Sequence, residues 1–168
     1  MNLTSHPLIA QQVLCLSQYG IFIFETKAIS ILTTTPARDT KRRVKNLHKQ
    51  IKKALGQLSG AVRSLRDGNE VITGSGTKIN FDRSILPHMI IVVSELLPFG
   101  DWSDIVSEAI GLVRKSNVMV HILDLRELTL LVAVSENADA FDYNLMKRFR
   151  HFIQCKSVFI RSLPPKRW

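Results

Sequence analysis

The chain has 168 residues, of which 45% are hydrophobic and 22% charged, and its formal net charge is +9. This composition, which has no long low-complexity tract, predicts a single folded globular domain over residues 1–168. No apolar run is long enough to span a membrane, the first residues lack a secretory signal pattern, and there are only two cysteines. We therefore expect a cytoplasmic protein that has no disulfides and does not bind membranes.

The first predicted element is a β-hairpin. β-branched and apolar residues predict strands over 8–16 and 21–26, and Ser17-Gln18-Tyr19-Gly20 between them is typical of a tight turn. Residues 29–35 are predicted to continue as a third short strand or as an extended run, ended by Pro36.

A long helix is predicted over 38–66. Its apolar residues recur at spacings of three and four, as they do on one face of a helix. They are Val44, Leu47, Ile51, Leu55, Leu58, Val62 and Leu65. Asp67-Gly68-Asn69 then ends the helix.

The second half of the chain alternates strands and helices. After a turn-rich stretch, apolar runs predict buried strands over 89–93 and 118–123. The helices are predicted over 101–116, with Asp101 as N-cap, and then over 124–134 and 138–152. This order favours an α/β fold in which an N-terminal antiparallel hairpin and parallel strands form a mixed sheet flanked by helices.

The positive charge is concentrated in the long helix. Residues 38–66 hold ten Lys or Arg and one acid, whereas the rest of the chain holds thirteen of each sign. Such a patch is typical of a protein that binds a polyanion, most often nucleic acid, although a solvated helix face is the simpler alternative. The candidate nucleic-acid contacts are Arg38, Lys41, Arg42, Lys45, Lys49, Lys52 and Arg63.

Glu25 and Lys27 form a chemically distinctive pair at the end of the second strand. Side chains alternate between faces along a strand, so these two lie on the same face. A carboxylate can hold a divalent metal, and a neighbouring ammonium can orient water or stabilise charge on a phosphate. An ion pair at a strand end is the alternative interpretation.

Residues 14–27 resemble the core of the nuclease-related domain (NERD) family, within the PD-(D/E)xK restriction-endonuclease-like superfamily. The similarity is closest over Gly20-Ile21-Phe22-Ile23-Phe24-Glu25-Thr26-Lys27. It implies a restriction-endonuclease-like core, a nucleic acid as partner, with DNA favoured over RNA, and Mg²⁺- or Mn²⁺-assisted hydrolysis of a phosphodiester. It also implies that Glu25 is a metal ligand, that Lys27 is the catalytic lysine, and that Gln57 or Gln50 is the helix glutamine that places the substrate.

Gln12 departs from the family pattern. The family has an Asp thirteen residues before the motif Glu, where it supplies a second carboxylate to the metal; here that position is Gln12, and Glu25 is the first acidic residue of the chain. A Gln carbonyl oxygen can ligate a hard cation but brings no charge, so metal affinity should fall. The chain could also recruit Glu95 or Asp82, or work weakly through Gln12 with Mn²⁺.

We favour a relative, shortened at its N-terminus, in which catalysis is reduced or lost and nucleic-acid binding is kept. A structural role is the remaining alternative. In that case residues 38–66 would dock an acidic protein, or a second copy of the chain to give a homodimer.

Overall fold

The computed structural model describes residues 11–27 and 38–162, without the side chains of residues 11, 38 and 39. Within these ranges ten elements follow one another, and their bounds are β1 (Gln11–Leu16), β2 (Ile21–Lys27), α1 (Arg38–Arg66), β3 (Val71–Ile72), β4 (Lys78–Ile79), β5 (Pro87–Val93), α2 (Ser103–Ser116), β6 (Met119–Asp124), α3 (Leu125–Ala133) and α4 (Ala138–Cys155). The strand predicted over 29–35 lies outside the described residues, as does the start of the first strand at 8–10.

Four strands form one mixed sheet in the order β1-β2-β5-β6. β1 and β2 pair antiparallel, and the Ser17 hydroxyl accepts the N–H groups of Tyr19 and Gly20 in the turn between them. β2, β5 and β6 run parallel, so their carboxyl ends share one edge of the sheet. The predicted α/β architecture, with an antiparallel hairpin joined by parallel strands, is confirmed.

Helices cover both faces of this sheet. α1 and α2 pack on the face that carries Ile23, Met89 and Ile122, whereas α3 and α4 contribute to a second core around Phe22 and Ile90. The predicted apolar face of α1 is buried from Val44 to Val62, and Leu65 is partly buried at its end. Burying each of these side chains contributes about 1.5–3 kcal/mol, which fixes the rotation of α1 on the sheet.

Three local features differ from the sequence prediction. The N-cap of α2 is Trp102 rather than Asp101, but Trp102 makes no side-chain capping bond, and Asp101 Oδ1 accepts the N–H of Ser103, the first residue of α2. The turn-rich stretch contains a short antiparallel ribbon, β3–β4. Cys15 lies in an apolar run, which predicts a packed thiol, but it is exposed on β1.

Two glycines in the middle of α1 have space around them for a larger side chain. A Cβ atom built at Gly56 or Gly60 would have no heavy atom within 4 Å. We expect Gly56→Ala and Gly60→Ala each to raise the free energy of unfolding by about 0.5–1 kcal/mol, because alanine loses less backbone entropy in a helix. Urea denaturation followed by circular dichroism measures this.

Gly100 supplies the matched control. Its φ is +82°, and an added Cβ would lie 3.1 Å from Cγ1 of the buried Val44, so Gly100→Ala should lower the free energy of unfolding. A loss of stability in Gly56→Ala or Gly60→Ala would contradict the open environment that we describe for α1.

Candidate functional site

The end of β2 brings a carboxylate and an ammonium together under α1. Glu25 and Lys27 share the face of β2 that carries Ile21 and Ile23, and both are buried, with 0% and 7% exposure. The Lys27 ammonium donates to Glu25 Oε1 at 2.5 Å and to Gln57 Oε1 of α1 at 2.8 Å. Three of the predicted site residues therefore meet in one cluster, here called the Glu25 cluster.

α1 decides which glutamine joins the cluster. The sequence leaves Gln50 and Gln57 as alternatives, and the structure brings Gln57 to Lys27, although the two residues lie 30 positions apart in the chain. The apolar face of α1 sets this rotation, since Leu55 and Leu58 on either side of Gln57 are fully buried. Gln57 itself is only partly buried, so it marks the side on which the cluster approaches solvent.

One atom of the cluster is left without a partner. Within the described residues, Glu25 Oε2 is buried and accepts no hydrogen bond. A buried ionised group with an unmet acceptor is costly, by about 1–3 kcal/mol or more, and usually marks the place of a water molecule or an ion. Glu25 Oε2 is thus the atom of the cluster that suits a cation.

Gln12 lies opposite Glu25 in the register of the hairpin. Directly paired residues of antiparallel strands share a face, so Gln12 occupies the position from which a second carboxylate would reach the same cation. Its side chain is exposed and, among the described residues, makes no hydrogen bond to the Glu25 cluster. The neutral amide is next to the site but does not add a negative charge to it.

The two acids considered as substitutes are engaged elsewhere. Glu95 forms an exposed ion pair with Arg43 at 3.7 Å, and Asp82 accepts two hydrogen bonds from Ser84. In the part of the chain that the structure describes, no three His, Cys, Asp or Glu side chains come together as a metal site would bring them. Mg²⁺ needs only one or two protein carboxylates when phosphates and waters supply the other ligands, and Glu25 supplies one. Because Glu25 is 0% exposed, those other ligands reach Oε2 only if the cluster opens on its Gln57 side.

The basic residues of α1 form one exposed surface. Lys41, Arg42, Lys45, Lys49, Lys52 and Arg63 are all exposed, and they lie within about 60° of Lys45 around the helix axis; we call them the basic stripe. Lys52 pairs with Asp104 at 2.8 Å, which raises the pKa of Lys52. The other five form no ion pair with a described residue, and the Arg38 side chain lies outside the description.

The opposite face of the sheet holds a buried histidine pair that the sequence analysis does not single out. His88 Nδ1 lies 2.9 Å from His121 Nε2, and His88 Nε2 lies 2.8 Å from Asp142 Oδ1 of α4. Both imidazoles are fully buried. A polar residue inside each of two otherwise apolar parallel strands is the one sequence signal that could have indicated the pair.

Burial keeps both imidazoles neutral. It lowers the pKa of His88, although Asp142 opposes the shift, and it lowers the pKa of His121 well below its ordinary value, helped by the nearby His88 and Arg148. In the neutral pair one ring nitrogen donates to the other. The arrangement ties β5 and β6 to α4 and is remote from the Glu25 cluster on the other face.

A second charged network lies where β6 passes into α3. Asp124 caps α3 by accepting the Glu127 N–H and holds the Arg161 guanidinium through two bonds of 2.6 and 2.5 Å. Burial alone would raise the pKa of Asp124, but its bonds to Arg161 and the Glu127 N–H lower it overall. Glu127 in turn accepts the backbone N–H and the hydroxyl of Ser162, which fixes the C-terminal segment against α3.

Comparison of the chain with protein-family models, with curated proteins and with solved structures finds no match. The described helices include none whose length and apolarity would let it cross a membrane. The geometry of the site and the charge of α1 therefore carry the functional argument.

The histidine pair predicts a stability that depends on pH. A histidine with a lower pKa in the folded than in the unfolded chain stabilises the fold above the unfolded pKa of about 6.5, and that stability is lost as pH falls. We expect the free energy of unfolding to drop by about 1–2 kcal/mol between pH 7.5 and 5.5, as measured by urea denaturation.

Two variants test the assignment to these histidines. His88→Phe combined with His121→Leu should flatten the pH dependence in this window, whereas His151→Gln, at an exposed position of α4, should leave it unchanged. Equal stability of the natural chain at the two pH values would show that the pair does not titrate as described.

Proposed function

We propose that the chain is a nuclease-related domain of the PD-(D/E)xK type that binds nucleic acid through α1 and hydrolyses a phosphodiester at the Glu25 cluster with Mg²⁺ or Mn²⁺. The Glu25 cluster itself carries the proposal. Residues that the family resemblance marks as metal ligand, catalytic lysine and helix glutamine are in hydrogen-bond contact, and Glu25 Oε2 is unpartnered among the described residues.

The bound cation would be held by Glu25 Oε2, with the neutral Gln12 beside it. When bound, such a cation supplies Lewis-acid polarisation of the phosphate and lowers the pKa of a water molecule that attacks phosphorus. A single carboxylate leaves most of the coordination to water and to the phosphate, which suits Mg²⁺ but gives weak binding before substrate arrives. The low charge of the site favours slow catalysis.

Lys27 is held where it can stabilise the phosphate. An ammonium has three donors, and two of them are taken by Glu25 Oε1 and Gln57 Oε1. The third is available for a non-bridging phosphate oxygen, on which negative charge develops during hydrolysis. Gln57 uses only its carbonyl oxygen in the cluster, so its amide N–H groups can hold the same phosphate.

α1 links binding to chemistry. The basic stripe runs along the helix that also carries Gln57, and from Lys41 to Arg63 it extends for about 33 Å. Gln57 is partly exposed about 120° around the helix axis from Lys45, so a nucleic-acid backbone held on the stripe reaches it by turning around the side of α1. The five stripe residues without an ion pair among described partners can exchange counterions for phosphates.

A second candidate function is binding of nucleic acid without cleavage. Gln12 favours it, because its neutral amide lies at the register position opposite Glu25 where the family has its second carboxylate. The loss of that charge weakens metal binding but leaves the basic stripe intact. The two candidates differ in one observable, which is cleavage that depends on a divalent metal.

Cleavage assays on plasmid DNA and on single-stranded DNA test the catalytic proposal. We expect slow cleavage in Mn²⁺ and slower cleavage in Mg²⁺. Glu25→Gln should reduce the rate by about 10²-fold or more, because the amide removes the only carboxylate of the cluster with little change of shape. Thr26→Ser, which faces the other side of β2, is the control and should cleave normally.

Gln12→Asp tests the departure from the family. Restoring the second carboxylate should raise the rate in Mg²⁺ and lower the metal concentration needed for half-maximal rate by about tenfold. Gln12→Asn changes the length without adding charge and should behave like the natural chain. Absence of cleavage in the natural chain and in Gln12→Asp, both folded by circular dichroism, would refute hydrolysis at this site.

The basic stripe predicts binding that weakens with salt. We expect the logarithm of the affinity for a labelled DNA duplex to fall linearly with the logarithm of the salt concentration, as measured by fluorescence anisotropy in EDTA. Lys41→Ala, Lys45→Ala and Lys49→Ala together should reduce the slope by about 2–3, because each lost phosphate contact releases about 0.9 fewer counterions.

Arg114→Ala with Lys115→Ala is the matched control, since both residues are exposed in the last turn of α2 and away from the stripe. This pair should leave the slope unchanged. A slope that does not depend on Lys41, Lys45 and Lys49, or an affinity that does not depend on salt, would exclude nucleic-acid binding through α1.

A further inference from the structure

A cavity of about 820 Å³ lies at the carboxyl ends of β5 and β6, on the side of α3; we call it the α3 cavity. Its walls come from α3 and from the C-terminal segment at Arg161 and Ser162. In open α/β sheets, ligands bind preferentially outside the carboxyl ends of parallel strands. The volume is within the range of cavities that hold small organic ligands.

The α3 cavity has an apolar wall and a cationic side. Leu125, Leu130 and Ala133 line it, and Leu125 is 57% exposed, so its side chain is accessible to a molecule in the cavity. Arg126 and Arg161 also line it. A ligand that suits this lining combines an apolar, flat body with an anionic group.

Arg161 is held in position by Asp124 but has further N–H donors available for a ligand. Its two bonds to Asp124 use two of the five N–H donors of a guanidinium, and its side chain is 42% exposed. Arg126 is exposed and makes no hydrogen bond or ion pair with any other described residue. Both guanidiniums line the cavity and have N–H donors that no described residue takes up, and Arg161 is the one that its bonds to Asp124 orient.

The carboxylate in the lining does not cancel this positive charge. Glu127 is buried, receives two hydrogen bonds from Ser162, and has the buried Arg148 guanidinium behind it, with Nε 3.8 Å from Oε1. Arg148 Nε has no hydrogen-bond partner among the described residues, so the charge of Glu127 is balanced from inside the protein. Asp124 is balanced by Arg161, which leaves Arg126 as the surplus charge of the cavity.

The α3 cavity lies on the same edge of the sheet as the Glu25 cluster. Lys27, Val93 and Asp124 are side by side in the register of β2, β5 and β6. Two strand spacings separate the outer pair, which is about 10 Å. This distance joins the backbones of β2 and β6, and the Glu25 cluster and the α3 cavity lie at the ends of these two strands.

We propose that the α3 cavity binds a single unstacked nucleotide, with its phosphate on Arg126 and Arg161 and its base against Leu125, Leu130 and Ala133. The nucleotide belongs to the nucleic-acid strand that crosses the edge of the sheet to the Glu25 cluster, and this placement rests on the proposed function. Unstacking a nucleotide costs a few kcal/mol and is cheapest in a single strand, so the cavity directs the protein toward single-stranded or frayed substrates.

Binding of nucleoside monophosphates to the natural chain, measured by isothermal titration calorimetry, is the first test. Ala133→Trp fills the cavity from an exposed position near the end of α3, and Arg126→Ala removes one phosphate contact. We expect each variant to weaken binding of a nucleoside monophosphate by about tenfold or more. Val132→Trp, which adds the same bulk at the neighbouring exposed position outside the cavity, and Arg114→Ala are the controls and should bind normally.

A single-stranded oligonucleotide distinguishes the source of the nucleotide. If Ala133→Trp and Arg126→Ala weaken both the monophosphate and the oligonucleotide, the cavity holds a nucleotide of the bound strand, as proposed. If they weaken only the monophosphate, the placement on the strand is overturned and the site serves a free nucleotide. If no monophosphate binds saturably, or if the control variants weaken it equally, the whole inference is overturned.

These outcomes are independent of catalysis. Monophosphate binding does not require the Glu25 cluster, so Glu25→Gln should bind monophosphates as the natural chain does. If the chain binds monophosphates in the α3 cavity but cleaves no nucleic acid, the proposed hydrolysis is refuted and the proposed nucleotide site is supported. If the chain cleaves nucleic acid but Ala133→Trp changes the binding of no ligand, only the proposed nucleotide site in the α3 cavity is refuted.

Discussion

The interaction on which the site depends is the buried ammonium of Lys27, shared between Glu25 of β2 and Gln57 of α1. Removing a charge from water costs several kcal/mol, so Lys27 and Glu25 can be buried only if they are paired and hydrogen-bonded. The contact joins the hairpin to the long helix at a polar point within an apolar interface. Replacing one partner alone would leave the other charge uncompensated.

The sheet separates two kinds of polar chemistry. On the α1 face, the Glu25 cluster is charged, has one unmet acceptor among described partners, and adjoins an exposed basic helix. On the opposite face, His88 and His121 are neutral and bonded to each other, His88 is also bonded to Asp142, and His121 Nδ1 has no partner among the described residues. The first arrangement is suited to an ionic ligand, whereas the second holds secondary-structure elements together. The Glu25 cluster is therefore the candidate ligand site, and the histidine pair has a structural role.

The carboxyl edge of the parallel strands collects the features suited to ligands. β2 ends in the Glu25 cluster, and β6 ends in Asp124, whose ion pair with Arg161 bounds the α3 cavity. The C-terminal segment is held at this edge by bonds from Ser162 to Glu127 and by packing of Phe159 on Trp102. The helices and the final segment therefore shape the edge together.

Much of the architecture follows from short-range patterns in the sequence. Alternation along β2 places Glu25 and Lys27 on one face, and the spacing of three and four along α1 separates its buried side from its basic side. Both patterns are local and are confirmed. The N-cap of α2 lies one residue after the predicted Asp101, although Asp101 still accepts the Ser103 N–H. The prediction that Cys15 is packed is wrong, because burial depends on which distant residues cover β1.

The sequence by itself determined the order of strands and helices, the faces on which their side chains lie, and the concentration of positive charge on one helix. Only the tertiary structure decided that Gln57 rather than Gln50 reaches Lys27, that Gln12 is opposite Glu25, and that His88 meets Asp142. These contacts depend on how strands register and how helices rotate on the sheet. Packing of the whole core sets that geometry, and spacing along the chain does not encode it.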